Sequence, residues 1–485
     1  MRTDWYKPVM AAAGAPLRPE TFHFAIRKGG PFFMPVDPAE YVAGLLPKVT
    51  DSDMAYLAQR GLGLGAAYRE ALGGEVSVHG IPQGSWFGDR EVPLTVSGPS
   101  ALASHLEAQV IWLRFRIQLA TLAKLDPDSL PALFGTVTCA AEADIVRETL
   151  DSTETPIDWD ILIDEEGYFE HIKARATELV SIVGDPARVF EAGMRAASCI
   201  EQHRIAVAAA HEAGFLATSN VEVARDLGII AGGTTGHEHT QRHFGDHAAF
   251  TAVRDSVAGE VTFLVDTYST LECGLPTAIE VMQETPERAC SIRFDSESTM
   301  EGDYLAGVAA FRAAGIEAPI NLGGGFDAAT TRRFEELRHS VGWPAHLQRY
   351  MYGQYLVEPH VPLPTRGDVG AVYKLCQSGN RPTMKFSDNP AKSSPPGRPV
   401  TWRKVGSTGE SEGGGHEPHP VGLIGQLGEA PLPGYALLTD GVPLSTNPRA
   451  LRGVRPGLSP ATQALADKLN QHRLDQIATV RPTPS

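Results

Sequence analysis

A recurring unit constrains this chain more than any single motif. From about Phe215 onward, a short apolar, β-branched run is followed by a Gly, Asp or Asn cluster and then by a helix-like stretch. The runs lie at Gly228–Ala231, Val261–Asp266, Cys290–Asp295, Ala318–Gly323 and Gln348–Gly353. The last four end about 30 residues apart, the length of one βαβ unit, so parallel strands are the economical reading. Polar groups collected at the C-terminal ends of such strands form the active sites of α/β barrels and open sheets.

The first ~120 residues read as a smaller α+β unit: strand-like pieces at Glu75–His79 and Val92–Val96, then one long apolar helix from about Ser100 to Lys124. Residues 151–166 are acidic and suit a surface insertion, 406–415 is a flexible loop by composition, and Ser459–Ile477 is a helix without a catalytic pattern. No apolar run approaches the ~18 residues of a membrane helix, and the start lacks a secretory stretch, so a cytoplasmic protein is expected. Five scattered cysteines without a C-x-x-C pair argue against a disulfide framework and a thiolate zinc site. A formal net charge of −16 disfavours nucleic acid and membrane as partners, but not a small phosphorylated ligand held in a locally basic cleft.

Period two along Cys290–Asp295 puts Arg293 and Asp295 on one face and Ile292 and Phe294 on the other. Such a charged pair serves a ligand or is a structural ion pair at the rim, and Asp266 ends the preceding strand at the equivalent position. Two carboxylates facing one cavity can hold Mg²⁺ or ribose hydroxyls. The segment 232–247 is rich in Gly, Thr and His: His237 follows the loop, and His239, His243 and His247 recur at helical spacing. It offers a catalytic His237, or a His237/His239 metal site in a barrel hydrolase, with His243 and His247 as surface histidines of a helix. Asn321–Phe334 reads as strand, glycine turn and helix start, with Asp327 as N-cap and turn amides suited to phosphate. Lys374, Lys385, Lys392, Arg398 and Arg403 form a local basic excess.

Together these segments resemble the nicotinate phosphoribosyltransferase family, from Tyr6 to about Arg403. The motifs that carry the resemblance are Thr218-Ser-Asn-Val, Gly233-Thr-Thr-Gly-His, Phe263-Leu-Val-Asp-Thr-Tyr-Ser-Thr-Leu, Ile292-Arg-Phe-Asp-Ser and Lys385-Phe-Ser-Asp-Asn-Pro-Ala-Lys. The resemblance implies a type II phosphoribosyltransferase: an irregular α/β barrel, residues 126–365, with an α/β sandwich built from both chain ends, 1–125 and 366–485. It also implies homodimers with shared active sites. The implied reaction joins the ring nitrogen of nicotinate to C1 of phosphoribosyl pyrophosphate, in NAD biosynthesis, with Mg²⁺ and with ATP hydrolysis coupled through a phosphohistidine.

By the same carry-over His237, Asp266 and Asp295 are catalytic, and no protein-held metal site is assigned. Substrate-binding positions are Tyr6 (stacking on the pyridine from the partner subunit), Arg195, Ser219, Thr234, Arg293, Gly323, Gly324, Gly353, Lys385 and Lys392. Relatives that use nicotinamide carry Asp where this chain has Ser219. A carboxylate about 4 Å from that of nicotinate would cost about 4 kcal/mol at an effective dielectric near 20, about three decades in affinity, so Ser219 favours an acidic pyridine. Departures from the family pattern fall at Ala192 and Ala196, where an aromatic and a second arginine are usual, at Glu297–Ser298, and at Met351. They suit a variant enzyme that accepts another heteroaromatic acid.

Overall fold

A computed structural model describes residues 1–386, 393–404, 422–437, 451–452 and 455–480. The expected parallel strands are present: Val261–Leu264, Cys290–Phe294, Ile320–Leu322 and Gln348–Tyr352 pair in that order, each with the next. The sheet then continues through Val189–Glu191, Ala217–Thr218 and Ile230–Ala231, so seven parallel strands curl into an open half-barrel. Helices such as Leu275–Glu284, Met300–Ala314 and Ala328–Ser340 cover its outer face. Phe263, Ile292, Phe294, Ile320, Leu322, Tyr350 and Tyr352 are nearly or wholly excluded from solvent. Burial of these β-branched and aromatic side chains is the main drive for the parallel sheet. The two edge strands are not paired with each other, but the Thr235 hydroxyl donates to the Thr262 carbonyl across the gap at 3.2 Å. The repeat begins earlier than the sequence suggests, because Val189–Glu191 is only three residues long.

Beside the half-barrel lies an antiparallel sheet ordered Arg381–Pro382, Val372–Ser378, Pro19–Ala25, Leu94–Pro99 and Ser77–Gly80. Pro19–Ala25 pairs with Val372–Ser378 on one side and Leu94–Pro99 on the other, so residues from early and late in the chain share one sheet. The expected long helix is two helices, Ser100–His105 and Glu107–Leu125, interrupted at Leu106, whose ψ of −6° departs from helical geometry. Of the 19 residues in Glu107–Leu125, 15 are buried, which makes this helix a central strut. The C-terminal helix runs Pro460–Thr479, N-capped by Ser459. All five cysteines are buried and free. Among the described residues no helix is long and apolar enough to cross a membrane. The loop expected at 406–415 lies outside the described residues.

Candidate active site at the open end of the half-barrel

Asp266, Asp295, Gly323 and Gly353 follow the C-terminal ends of four strands; Asp295, Gly323 and Gly353 line a cavity of about 520 Å³, and Asp266 stands behind it, 3.9 Å from His237. The period-two alternation explains its wall: Ile292 and Phe294 point into the core, while Arg293 and Asp295 face the cavity and pair directly. Arg293 also donates to the Thr234 hydroxyl at 2.9 Å, so Thr234 lies behind the arginine. Gly324 and Gly325 adopt φ of +89° and +84°, a region glycine alone enters freely. A Cβ on Gly324 would stand 2.6 Å from the Asp295 carbonyl oxygen, so this turn sets how close Asp295 comes. Asp327 caps the next helix, accepting from the Thr330 amide at 2.7 Å, as its sequence context predicts.

His237 opens helix His237–His243 and is largely buried. Its Nδ1 lies 3.2 Å from the Thr267 hydroxyl, and its Nε2 lies 3.9 Å from Asp266 and 3.7 Å from Asp295. Nε2 and Asp266 Oδ1 are buried without a hydrogen-bond partner, while the other Asp266 oxygen accepts from Ser296 at 2.7 Å. His237, Asp266 and Asp295 thus bring three ligand atoms within 4.8 Å of one another, a geometry able to hold a cation. Burial, reinforced by Lys385, lowers the His237 pKa against the pull of the two acids, which favours the neutral imidazole. Burial alone would raise the Asp295 carboxyl, but Arg293 and His237 overcome it and hold this acid well below the usual carboxylate range.

Lys385, Arg195 and Gly353 complete the part of the cavity that sequence reasoning identified. Burial lowers the Lys385 pKa, partly offset by Asp266 and Asp295. Arg195 is held protonated by its neighbours Tyr6, Glu107 and Asp4. Three further cations were not identified as site residues: Arg27, Arg366 and Lys374. Burial and like charges depress all three, Arg27 and Arg366 to about 10 and Lys374 to about 7. Lys374 belongs to the basic stretch visible in the sequence. Arg27 follows the first strand of the antiparallel sheet, and Arg366 sits inside a Thr365–Asp368 capping box that reads as an ordinary helix start.

Several expectations need correction. Tyr6 does not have to arrive from a second subunit: it lines a small recess beside its own chain's cavity, with Arg195 5.7 Å from its ring centre and its hydroxyl bonded to Glu107. Ser219 lines neither space, and its hydroxyl donates to Asp4 at 2.6 Å instead of offering a free donor. Asp4, whose pKa burial raises, lies 3.9 Å from the Arg195 guanidinium. His237 and His239 form no shared metal site, because His239 Nε2 bonds the Ala249 carbonyl at 2.8 Å within the core. The helical run His239–His243–His247 is broken at Phe244, whose left-handed φ of 57° ends the helix and leaves His247 in the next one. Lys392 lies outside the described residues.

Glu191 supports the wall from beneath. Its buried carboxylate accepts from the Thr218 hydroxyl and the Gly193 amide and lies 3.0 Å from His203 Nε2, fixing the turn that leads to Arg195. No sequence pattern marked it, because its partners come from three different elements.

No protein-family model matches the chain. Over 263 residues it is 29% identical to the nicotinate phosphoribosyltransferase of Bacillus subtilis, covering 52% of this chain and 50% of that protein. Over 298 residues it is 24% identical to the Bos taurus protein of the same name, covering 50% and 54%. The chain thus spans about half the length of the curated relatives it matches. Its fold is similar to the nicotinate phosphoribosyltransferase of Porphyromonas gingivalis, at 18% identity and a TM-score of 0.55, over 81% of this chain and 95% of that one. The corresponding Vibrio cholerae structure gives a TM-score of 0.54 at 17% identity, over 81% and 89%. The strand order and these similarities show a fold similar to that of solved nicotinate phosphoribosyltransferases, and a sequence similar over about half its length to proteins of that name.

Proposed function

We propose that this protein transfers the phosphoribosyl group of phosphoribosyl pyrophosphate to the ring nitrogen of nicotinate, with coupled ATP hydrolysis. The observation that carries the reading is the charge balance of the cavity: six basic side chains, Arg27, Arg195, Arg293, Arg366, Lys374 and Lys385, against three acids. In a chain of net charge −16, such a cluster suits a ligand that brings several negative charges. In the reaction the pyridine nitrogen forms a bond to C1 as the bond from C1 to pyrophosphate breaks, and the leaving group carries away the electron pair. Arg195, Arg366 and Lys374 would receive that growing charge, while Asp295 would face the cationic ribose.

Asp266 and Asp295 fit Mg²⁺, since they offer oxygen ligands and Asp266 Oδ1 has no other partner in the described structure. The ion would supply charge neutralisation for pyrophosphate. In the tautomer that donates Nδ1–H to Thr267, the His237 lone pair lies on Nε2, which would take a phosphoryl group from ATP as ADP leaves. Lys385 and the other cations would offset the repulsion of that group by the two carboxylates. The proposal extends to a cytoplasmic homodimer acting in NAD biosynthesis.

The test is product formation from phosphoribosyl pyrophosphate and Mg²⁺ with nicotinate, nicotinamide or quinolinate, each with and without ATP. Nicotinate mononucleotide is expected, stimulated by ATP in the native protein and not in His237→Ala. Folded protein that binds phosphoribosyl pyrophosphate yet makes no mononucleotide from nicotinate would overturn the assignment of base.

A further inference from the structure

Helix Glu107–Leu125 runs behind the cavity and fastens its loops. Trp112 Nε1 donates to the Met194 carbonyl at 2.9 Å, and Gln118 Nε2 to the Thr365 carbonyl at 3.2 Å. Between them Arg114, 2% exposed, does more than either. Its Nη2 donates to the carbonyls of Ala196 and Ala197 at 2.9 and 3.1 Å, and its Nη1 to the Pro364 carbonyl and the Gln118 side chain at 3.1 and 3.0 Å. One guanidinium therefore ties the segment just after Arg195 to the segment just before Arg366. These two cavity arginines are distant in sequence and have no other single tie of this kind among the described residues.

Arg114's hydrogen bonds go to three backbone carbonyls and one amide oxygen rather than to a carboxylate, and burial together with Arg366 lowers its pKa to about 9 against the attraction of Glu142 and Asp368. A buried arginine without an ion pair is costly, and a fold that only needed these carbonyls satisfied could use neutral donors. Its planar fork reaches both segments at fixed spacing, which a lysine cannot reproduce.

We infer that Arg114 is a positioning residue for polyanion binding: it sets the spacing of Arg195 and Arg366 and adds its charge to the field of the cavity. This rests on the phosphoribosyl-transfer reading. The experiment uses the full chain with Arg114→Lys, Arg114→Met and, as control, Arg116→Met, whose side chain points outward to Glu148. Pyrophosphate binding is measured by calorimetry, KM for phosphoribosyl pyrophosphate and for nicotinate separately, and thermal unfolding alongside. Both Arg114 variants are expected to weaken pyrophosphate binding and raise the phosphoribosyl pyrophosphate KM by about tenfold or more, with the nicotinate KM moving less than about threefold. Added guanidinium ion should restore part of the loss in a third variant, Arg114→Ala, and Arg116→Met should behave as native.

Pyrophosphate affinity of Arg114→Lys within about twofold of native would overturn the inference, as would equal changes in both KM values with lowered stability. Should Arg114→Met fail to fold, the lysine variant and the guanidinium arm decide. Native protein that turns over nicotinate while Arg114 variants keep full affinity removes this inference alone. Native protein that does not bind pyrophosphate removes the functional reading and this inference with it.

Discussion

One short helix, His237–His243, serves two buried charge assemblies built on opposite principles. Near its C-terminal end Arg242 is matched: Nε and Nη2 donate to the two oxygens of Glu20 at 2.7 and 2.8 Å, and Ser378 adds a third bond to the same carboxylate at 2.7 Å. Both charged side chains are at most 2% exposed, and the pair joins the half-barrel to the antiparallel sheet. At its N-terminal end His237 faces a cavity in which basic groups outnumber acids two to one. The matched assembly holds the fold together, whereas the unmatched one costs stability until a ligand supplies the missing negative charge.

The largest effect should come from breaking the matched side. Glu20→Ala leaves Arg242 buried without its partner and is expected to destabilise the protein by about 3–5 kcal/mol, read from chemical denaturation. Replacing both residues with methionine should recover most of that loss, because the cost lies in the stranded charge rather than in the absent pair. A Glu20→Ala protein within about 1 kcal/mol of native would show that the seam is held by something else.

At the cavity the turn geometry offers a more local break. Gly324→Ala forces a side chain into φ of +89° and against the Asp295 carbonyl, at a cost of about 1–3 kcal/mol. Because Asp295 must shift, pairing with Arg293 should loosen, and turnover should fall further than stability does. Gly302→Ala is the control: it lies within helix Met300–Ala314, and a Cβ there meets nothing within 4 Å. Equal losses of activity in the two variants would show that the position of Asp295 does not matter to turnover.

The same contrast explains what the sequence made legible. Arg293, Asp295 and the shared rim with Asp266, Gly323 and Gly353 follow from period-two alternation and a repeated βα unit, both of which are local. Lys374 lies in one strand of another sheet and Arg27 just past the end of its neighbour, and their arrival at the barrel mouth depends on packing between sheets that no local pattern records. Arg114 and Glu191 act through carbonyls, amides and hydroxyls of distant segments, so their roles have no motif. The histidine run misled for the opposite reason: its spacing was helical, but one left-handed residue, Phe244, turned His247 onto another helix.

Lys374 gives the smallest effect and the sharpest reading of unmatched charge. Burial, Lys385, Arg195 and Arg27 outweigh the attraction of Glu107, 3.9 Å away, and bring the ammonium pKa down to about 7. In the unfolded chain it returns to about 10.4, so between roughly pH 7 and pH 10 the unfolded state holds a proton that the native state has released. Stability of the ligand-free protein should therefore rise with pH through that window. Pyrophosphate binding should run the other way, because a bound anion favours the protonated ammonium, and affinity should fall as pH passes above about 7. Denaturation curves and calorimetric titrations at pH 6.5 and 8.5 measure the two slopes, and Lys374→Met should flatten both while leaving the Glu20–Arg242 seam intact. Slopes unchanged in that variant would mean that the excess charge of the cavity is already balanced without a ligand, which would remove the distinction between its two assemblies.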